Sequence, residues 1–244
     1  MITVALPSEE IAQPLCENAR AVAAERGWKI RETTLDQAGE LLLLNSVDLA
    51  LTTPLGYGKG VARVDYRVIE GPCVALEDFT NAYGITFSEG GRSLDTYASD
   101  SPESFTTTIA RLIMAEKFDV LLRHSEPPAD CIIGPAGTHA QQLDLGEEWF
   151  DLIEAPLPLG IWVARADAEE VGLDVVVELF ANKDLLSKPV SELAPLTSDS
   201  MPREGKILYR WSNEVREGLD AALHSLFYHQ VFTELPAVKI YGQD

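Results

Sequence analysis

The feature that most constrains this chain is the order of elements in its first 52 residues. Ile2–Leu6 is a short apolar run of β character. Pro7-Ser8-Glu9-Glu10 has helix-start chemistry, and Ile11, Leu15, Ala19, Val22 and Ala23 keep helical spacing up to Gly27. Trp28–Thr33 alternates as a strand, Leu35–Leu44 reads as a short helix, and Val47–Thr52 as a second buried strand. The order β-α-β-α-β calls for a parallel sheet with helices on its faces.

The rest of the chain extends that plan. Tyr66–Leu76, Tyr83–Phe87 and Leu94–Ala98 read as strands, and Ser101-Pro102-Glu103 as the start of a helix running to Lys117. Asp119–Leu122, Cys131–Gly134 and Leu157–Ala164 read as further strands, and Val171–Leu186 as a helix. Lys188–Arg203 reads as a loop-bearing connection, Ile207–Thr233 as one long helix, and Ala237–Tyr241 as a strand or an arm. The C-terminal helices have no strand of their own and should pack back on the first domain. The expectation is a two-lobed α/β fold joined by two crossing segments, with a ligand cleft between the lobes. Residues 1–88 and 160–244 form the first lobe, and 89–159 the second.

Charge narrows the partners. Lys+Arg number 19 against 39 Asp+Glu, a net charge of −20. Such a chain repels phosphate backbones and anionic membrane surfaces, so neither nucleic acid nor membrane is an expected partner. The same acidity suits either a solubilising surface or a high-salt habitat. The start Met1-Ile-Thr-Val-Ala-Leu lacks the basic and long apolar regions of a secretory signal. Cys16, Cys73 and Cys131 are odd in number and far apart, as in buried reduced thiols. A cytoplasmic protein is expected.

The common catalytic signatures are absent: there is no G-x-S-x-G, Walker loop, H-E-x-x-H or C-x-x-C. Gly56-Tyr57-Gly58-Lys59-Gly60 follows a strand but has neither Walker nor Rossmann spacing, so it reads as a flexible loop. Ser104-Phe105-Thr106-Thr107-Thr108 sits in the first turns of a helix, where hydroxyls and free N–H groups suit a carboxylate; plain capping is the competing reading. Thr52-Thr53-Pro54 stands just past a strand end, where open α/β sheets collect ligands, or is an ordinary turn. His139, in a loop after a strand, is a candidate base or a surface histidine. Asp144, Glu147 and Glu148 suit helix-start duty better than catalysis. No metal site and no cofactor are read.

The stretches Val47-Asp-Leu-Ala-Leu-Thr-Thr-Pro54, Asp144-Leu-Gly-Glu-Glu-Trp149 and Ala155-Pro-Leu-Pro-Leu-Gly-Ile-Trp-Val-Ala-Arg165 together resemble one superfamily. It is the futalosine-pathway menaquinone-biosynthesis group, chorismate dehydratase and dihydroxynaphthoate synthase, with a type II periplasmic-binding-protein fold. The resemblance runs from about Ile2 to Arg165. Ile133-Gly134 and Trp162-Val163-Ala164 look more like the dehydratase; Thr106-Thr107, Gly71-Pro72 and Pro158-Leu159-Gly160 look more like the synthase. It implies that Thr53 and the Ser104–Thr107 turn bind the carboxylate of a small cyclic or aromatic acid.

Two departures matter. The dehydratase has a functional asparagine after its first strand, where this chain has Glu10-Ile-Ala-Gln-Pro-Leu15. The synthase has a His-Glu pair where this chain has Gly134-Pro135. His139, or a carboxylate such as Glu9, would then replace the base, with Gly56 and Tyr57 as cleft wall and Tyr57 stacked on the ring. The readings that follow are a lyase acting on a small carboxylate, or a non-catalytic binding protein of the same fold.

Overall fold

A computed structural model gives the arrangement of residues 1–88, 94–136, 142–168, 176, 185–192 and 202–243. The opening is as expected: β1 (Thr3–Pro7), α1 (Gln13–Arg26), β2 (Lys29–Thr33), α2 (Leu35–Leu43) and β3 (Leu49–Thr52). Strand β1 pairs in parallel with both β2 and β3. β1 and β3 read as unbroken apolar runs because both of their faces are covered. β2 is the sheet edge; its Lys29, Arg31 and Glu32 are exposed, and such charge blunts strand-to-strand association. α1 ends at Gly27, which takes the left-handed conformation at φ 66°.

The chain continues through α3 (Pro54–Val61), β4 (Tyr66–Asp78), β5 (Tyr83–Phe87), β6 (Thr96–Ala98), α4 (Phe105–Phe118) and β7 (Arg123–His124). Then come β8 (Cys131–Pro135), β9 (Leu143–Asp144), α5 (Leu145–Ile153), β10 (Leu157–Arg165), β11 (Ser187–Glu192), β12 (Arg203–Arg210) and α6 (Asn213–Tyr228). One sheet has seven strands in the order β11-β12-β4-β10-β3-β1-β2; the other has five, in the order β7-β6-β8-β5-β9.

Packing divides the chain into two units. One holds 1–75, 158–188 and 208–244, and the other holds 76–157 and 189–207. Strand β5, expected in the first lobe, pairs with β8 and β9 in the second unit. The chain passes between the units four times rather than twice, because 189–207 also belongs to the second.

Three local readings are corrected. The run Gly56–Gly60 is helical, not a flexible loop. A Cβ on Gly56 would stand 2.5 Å from Thr52 Oγ1, and one on Gly58 would stand 2.3 Å from the Phe232 ring. These glycines let α3 pack closely; they do not loosen it. Residues 207–210 finish β12, and the last helix begins only after its Ser212 cap, whose side chain accepts from Val215 N–H. That helix packs Val215 on Cys73 and Ala75. Helix α4 starts after Ser104, not Ser101.

Residues 230–243 form an arm on the first unit. Lys239 and Tyr241 make backbone bonds with Val68, and Tyr57 Oη donates to Ala237 O at 2.8 Å while accepting Lys239 N–H at 3.0 Å.

Candidate functional site

In the first unit, the carboxyl ends of β1, β2 and β3 bring together three segments far apart in sequence. The chain leaves β1 for α1 and leaves β3 for α3, so the β1/β3 boundary is where an open α/β sheet offers a ligand crevice. Glu9 follows β1. Its Oε1 accepts the Leu35 N–H at 2.9 Å, tying the loop to the start of α2. Thr34 caps that helix by accepting Gln37 N–H, and Asp36 lies in its first turn. Thr53 caps α3 by accepting Gly56 N–H at 3.1 Å and donates to Asp36 Oδ1 at 3.4 Å. Burial, assisted by the charge of Asp36, pushes the Glu9 carboxyl above its ordinary range; the Leu35 hydrogen bond opposes that shift.

In the second unit, four hydroxyls converge at the start of α4. Ser104 Oγ accepts Thr107 N–H at 3.2 Å and donates to Thr107 Oγ1 at 2.9 Å. Thr107 Oγ1 also lies 3.1 Å from Ser99 Oγ, and Thr106 Oγ1 lies 3.3 Å from Ser104 Oγ. Thr107 is buried, whereas Ser104, Thr106 and Ser99 are half-buried. Helix α4 is 14 residues long, so its start carries a dipole end that favours an anion.

The expected site residues fall in different units: Thr53 follows β3 at the carboxyl end of the strands in one, and Ser104 and Thr106 stand at a helix start of the other. Thr107 supports its turn from inside. Gly56 and Tyr57 do not wall an opening: Gly56 packs on Gly39 and Thr52, and Tyr57 is fully buried with its hydroxyl bonded to the C-terminal arm. Tyr57 is thus a core residue, not a stacking platform. His139 lies outside the described residues. Asp36 and Ser99 were not singled out from sequence. The helix-start pattern from Thr34 to Gln37 was the available signal for Asp36; Ser99 had none, since only the fold returns it to Thr107.

The Asp144–Trp149 stretch that carries much of the resemblance is structural. Buried Asp144 accepts N–H groups from Thr80 (3.2 Å), Asn81 (2.7 Å) and Glu147 (3.1 Å). A Cβ on Gly146 would stand 2.5 Å from Asp78 O. Glu147 pairs with Arg203, whose guanidinium lies 4.3 Å over Phe79, and Glu148 pairs with Lys117 at 2.6 Å. Among the described residues no group of three His, Cys, Asp or Glu is arranged to hold a metal. Nor is any helix there long and apolar enough to cross a membrane.

No protein-family model matches the sequence, and no curated protein does either. Solved structures do match. Protein AF1704 from Archaeoglobus fulgidus superposes with a TM-score of 0.59 at 11% identity, over 95% of this chain and 98% of that one. A likeness at that identity shows the fold alone. Two α/β sheets with this strand order make it a periplasmic-binding-protein-like fold. Weaker likenesses include the CA3427 gene product of Candida albicans, which exhibits the generic periplasmic binding protein fold (TM-score 0.43, 15% identity, 72% of this chain and 67% of that one). Another is the methionine binding protein MetQ (TM-score 0.43, 10% identity, 73% and 89%).

Proposed function

We propose that this chain binds a small carboxylate-bearing solute and acts on it as a lyase of the futalosine-pathway type that its sequence resembles. The observation that carries the reading is the start of α4. There the half-buried Ser104 and Thr106 hydroxyls sit on a helix dipole end, held from beneath by buried Thr107. Hydroxyls and helix N–H groups suit a planar anion such as a cyclic or aromatic carboxylate. In the first unit, Thr53 is the other hydroxyl of the reading.

Chemistry on such an acid, whether chorismate-dehydratase-like or dihydroxynaphthoate-synthase-like, needs a group that moves a proton. Glu9 suits that role because burial holds its carboxyl partly protonated at a pH where an exposed carboxylate is ionised. His139 is the second candidate for the role. No cofactor enters the reading. It carries a cytoplasmic location with it, supported by three free buried cysteines.

A non-catalytic binding protein is the second reading. It is favoured by the internal bonding of Thr107 and Tyr57, which leaves fewer groups for chemistry. A thermal-shift screen at fixed salt, with chorismate, enolpyruvylbenzoate and simple aromatic carboxylates, tests both. A solute at about 100 times its Kd stabilises the fold by about 2.7 kcal/mol. A stabilising acid that is also turned over supports the lyase, with loss of water as the mass change for a dehydratase. One that is bound and unchanged supports the binder. No shift with any acid contradicts the lyase and sends the binding-protein reading to a different set of solutes.

A further inference from the structure

The unit that carries the α4 hydroxyls is the more acidic of the two. Residues 76–157 and 189–207 hold 18 Asp+Glu against 6 Lys+Arg, which is −12 of the chain's −20. Three of those cations are taken up by carboxylates: Lys117 by Glu148 and Asp151, Arg203 by Glu147, and Lys206 by Glu77 at 2.8 Å. Like charges in this unit act on one another. The Asp78 carboxyl is pushed up by burial and, after it, by the charges of Glu147, Asp151 and Glu77. At the start of α4, exposed Asp100 and Glu103 stand just before the Ser104 cap. They draw on the same positive dipole end that would hold an anion. The next cation along the chain, Arg111, lies about two turns into the helix, with its guanidinium 5.5 Å over the Tyr97 ring.

Resting on the small-carboxylate reading, we infer that ionic strength regulates this helix start, and that a carboxylate solute binds there more tightly as salt rises. The solute meets short-range hydroxyl and N–H donors inside a long-range negative field. Salt affects the two unequally. Hydrogen bonds act at contact, whereas the reach of the field falls from about 30 Å at 0.01 M to about 3 Å at 1 M. An anion held by Lys or Arg loses affinity as those charges are screened. Here screening removes repulsion, so the sign is reversed. The gain grows with the negative charge of the solute, and a neutral solute has none.

Calorimetry on the full chain tests this with three probes, each at about 0.02 M and about 0.5 M KCl: benzoate, the dianion enolpyruvylbenzoate, and neutral benzamide. Benzoate should bind about tenfold more tightly at the higher salt, enolpyruvylbenzoate should gain more, and benzamide should not change. The double variant Asp100→Asn/Glu103→Gln should bind benzoate several-fold more tightly than the wild type at the lower salt, and equally at the higher. Affinity for both acids that is flat or falls with salt overturns the inference and leaves the carboxylate reading intact. So does an equal gain by benzamide, or a double variant no tighter than the wild type at the lower salt. Binding of neither acid at either salt contradicts the carboxylate reading of this helix start and this inference together.

Discussion

Glu9 and Leu35 follow different strands, yet the Leu35 N–H donates to Glu9 Oε1 at 2.9 Å and fixes the carboxyl beyond the carboxyl ends of β1 and β2. Because burial raises the pKa of that carboxyl in the folded state, its contribution to stability has a definite sign. It is fully present below the ordinary carboxylate pKa and is lost as pH rises through the raised folded value. Urea melts of wild type and Glu9→Gln should therefore diverge. From about pH 4 to pH 7 the wild type should lose stability relative to the variant. A wild type that gains on the variant over that window would contradict the protonated carboxyl.

Asp144 is expected to matter to folding alone. Asp144→Ala removes the acceptor for the N–H groups of Thr80, Asn81 and Glu147 at a buried position. Stranded buried donors and a lost helix cap should together lower stability by about 3 kcal/mol. Asp144→Asn, which keeps one carbonyl oxygen, should lose less. Chemical denaturation reads both.

The glycines of α3 provide a packing test. Gly58→Ala drives a Cβ to 2.3 Å from the Phe232 ring and should be destabilising by about 1–3 kcal/mol. Gly134→Ala meets nothing within 4 Å and should be close to neutral. Equal melting temperatures for the two variants would contradict the close packing of α3 under the C-terminal arm.

Tyr57→Phe tests the arm itself. The variant loses the bonds to Ala237 O and Lys239 N–H and leaves both groups without that partner. Limited proteolysis should then cut within 230–243 faster than in the wild type, with β1–β3 intact. An unchanged rate would mean that the arm is held by Phe232 and the Val68 pairing alone.

The opening β-α-β-α-β order was legible because β1 and β3 are apolar on both faces and Gly27 stops α1 where its backbone requires a left-handed residue. The α3 helix was not legible. Three glycines in five residues lower intrinsic helicity, and the partners that need them small, Thr52, Phe232 and Tyr66, are visible only in the fold. Strand β12 was hidden because Ile207-Leu208-Tyr209 runs directly into an amphipathic helix, so one period masked another. At the candidate site, the Ser104 cap was masked by Ser101-Pro102-Glu103, which offers helix-start chemistry three residues earlier. The fourth hydroxyl, Ser99, and the engagement of Tyr57 by the arm depend on contacts that no local pattern encodes.

The most direct test is a calorimetric titration of the best acid from the screen into wild type and Thr106→Val, which keeps the side-chain volume and the helix but removes the half-buried hydroxyl at the start of α4. The account predicts unchanged melting of the free variant and a Kd weakened about tenfold, the loss of one charge-assisted hydrogen bond of about 1.5 kcal/mol. Equal affinity of the two proteins would contradict a carboxylate seated on that helix start.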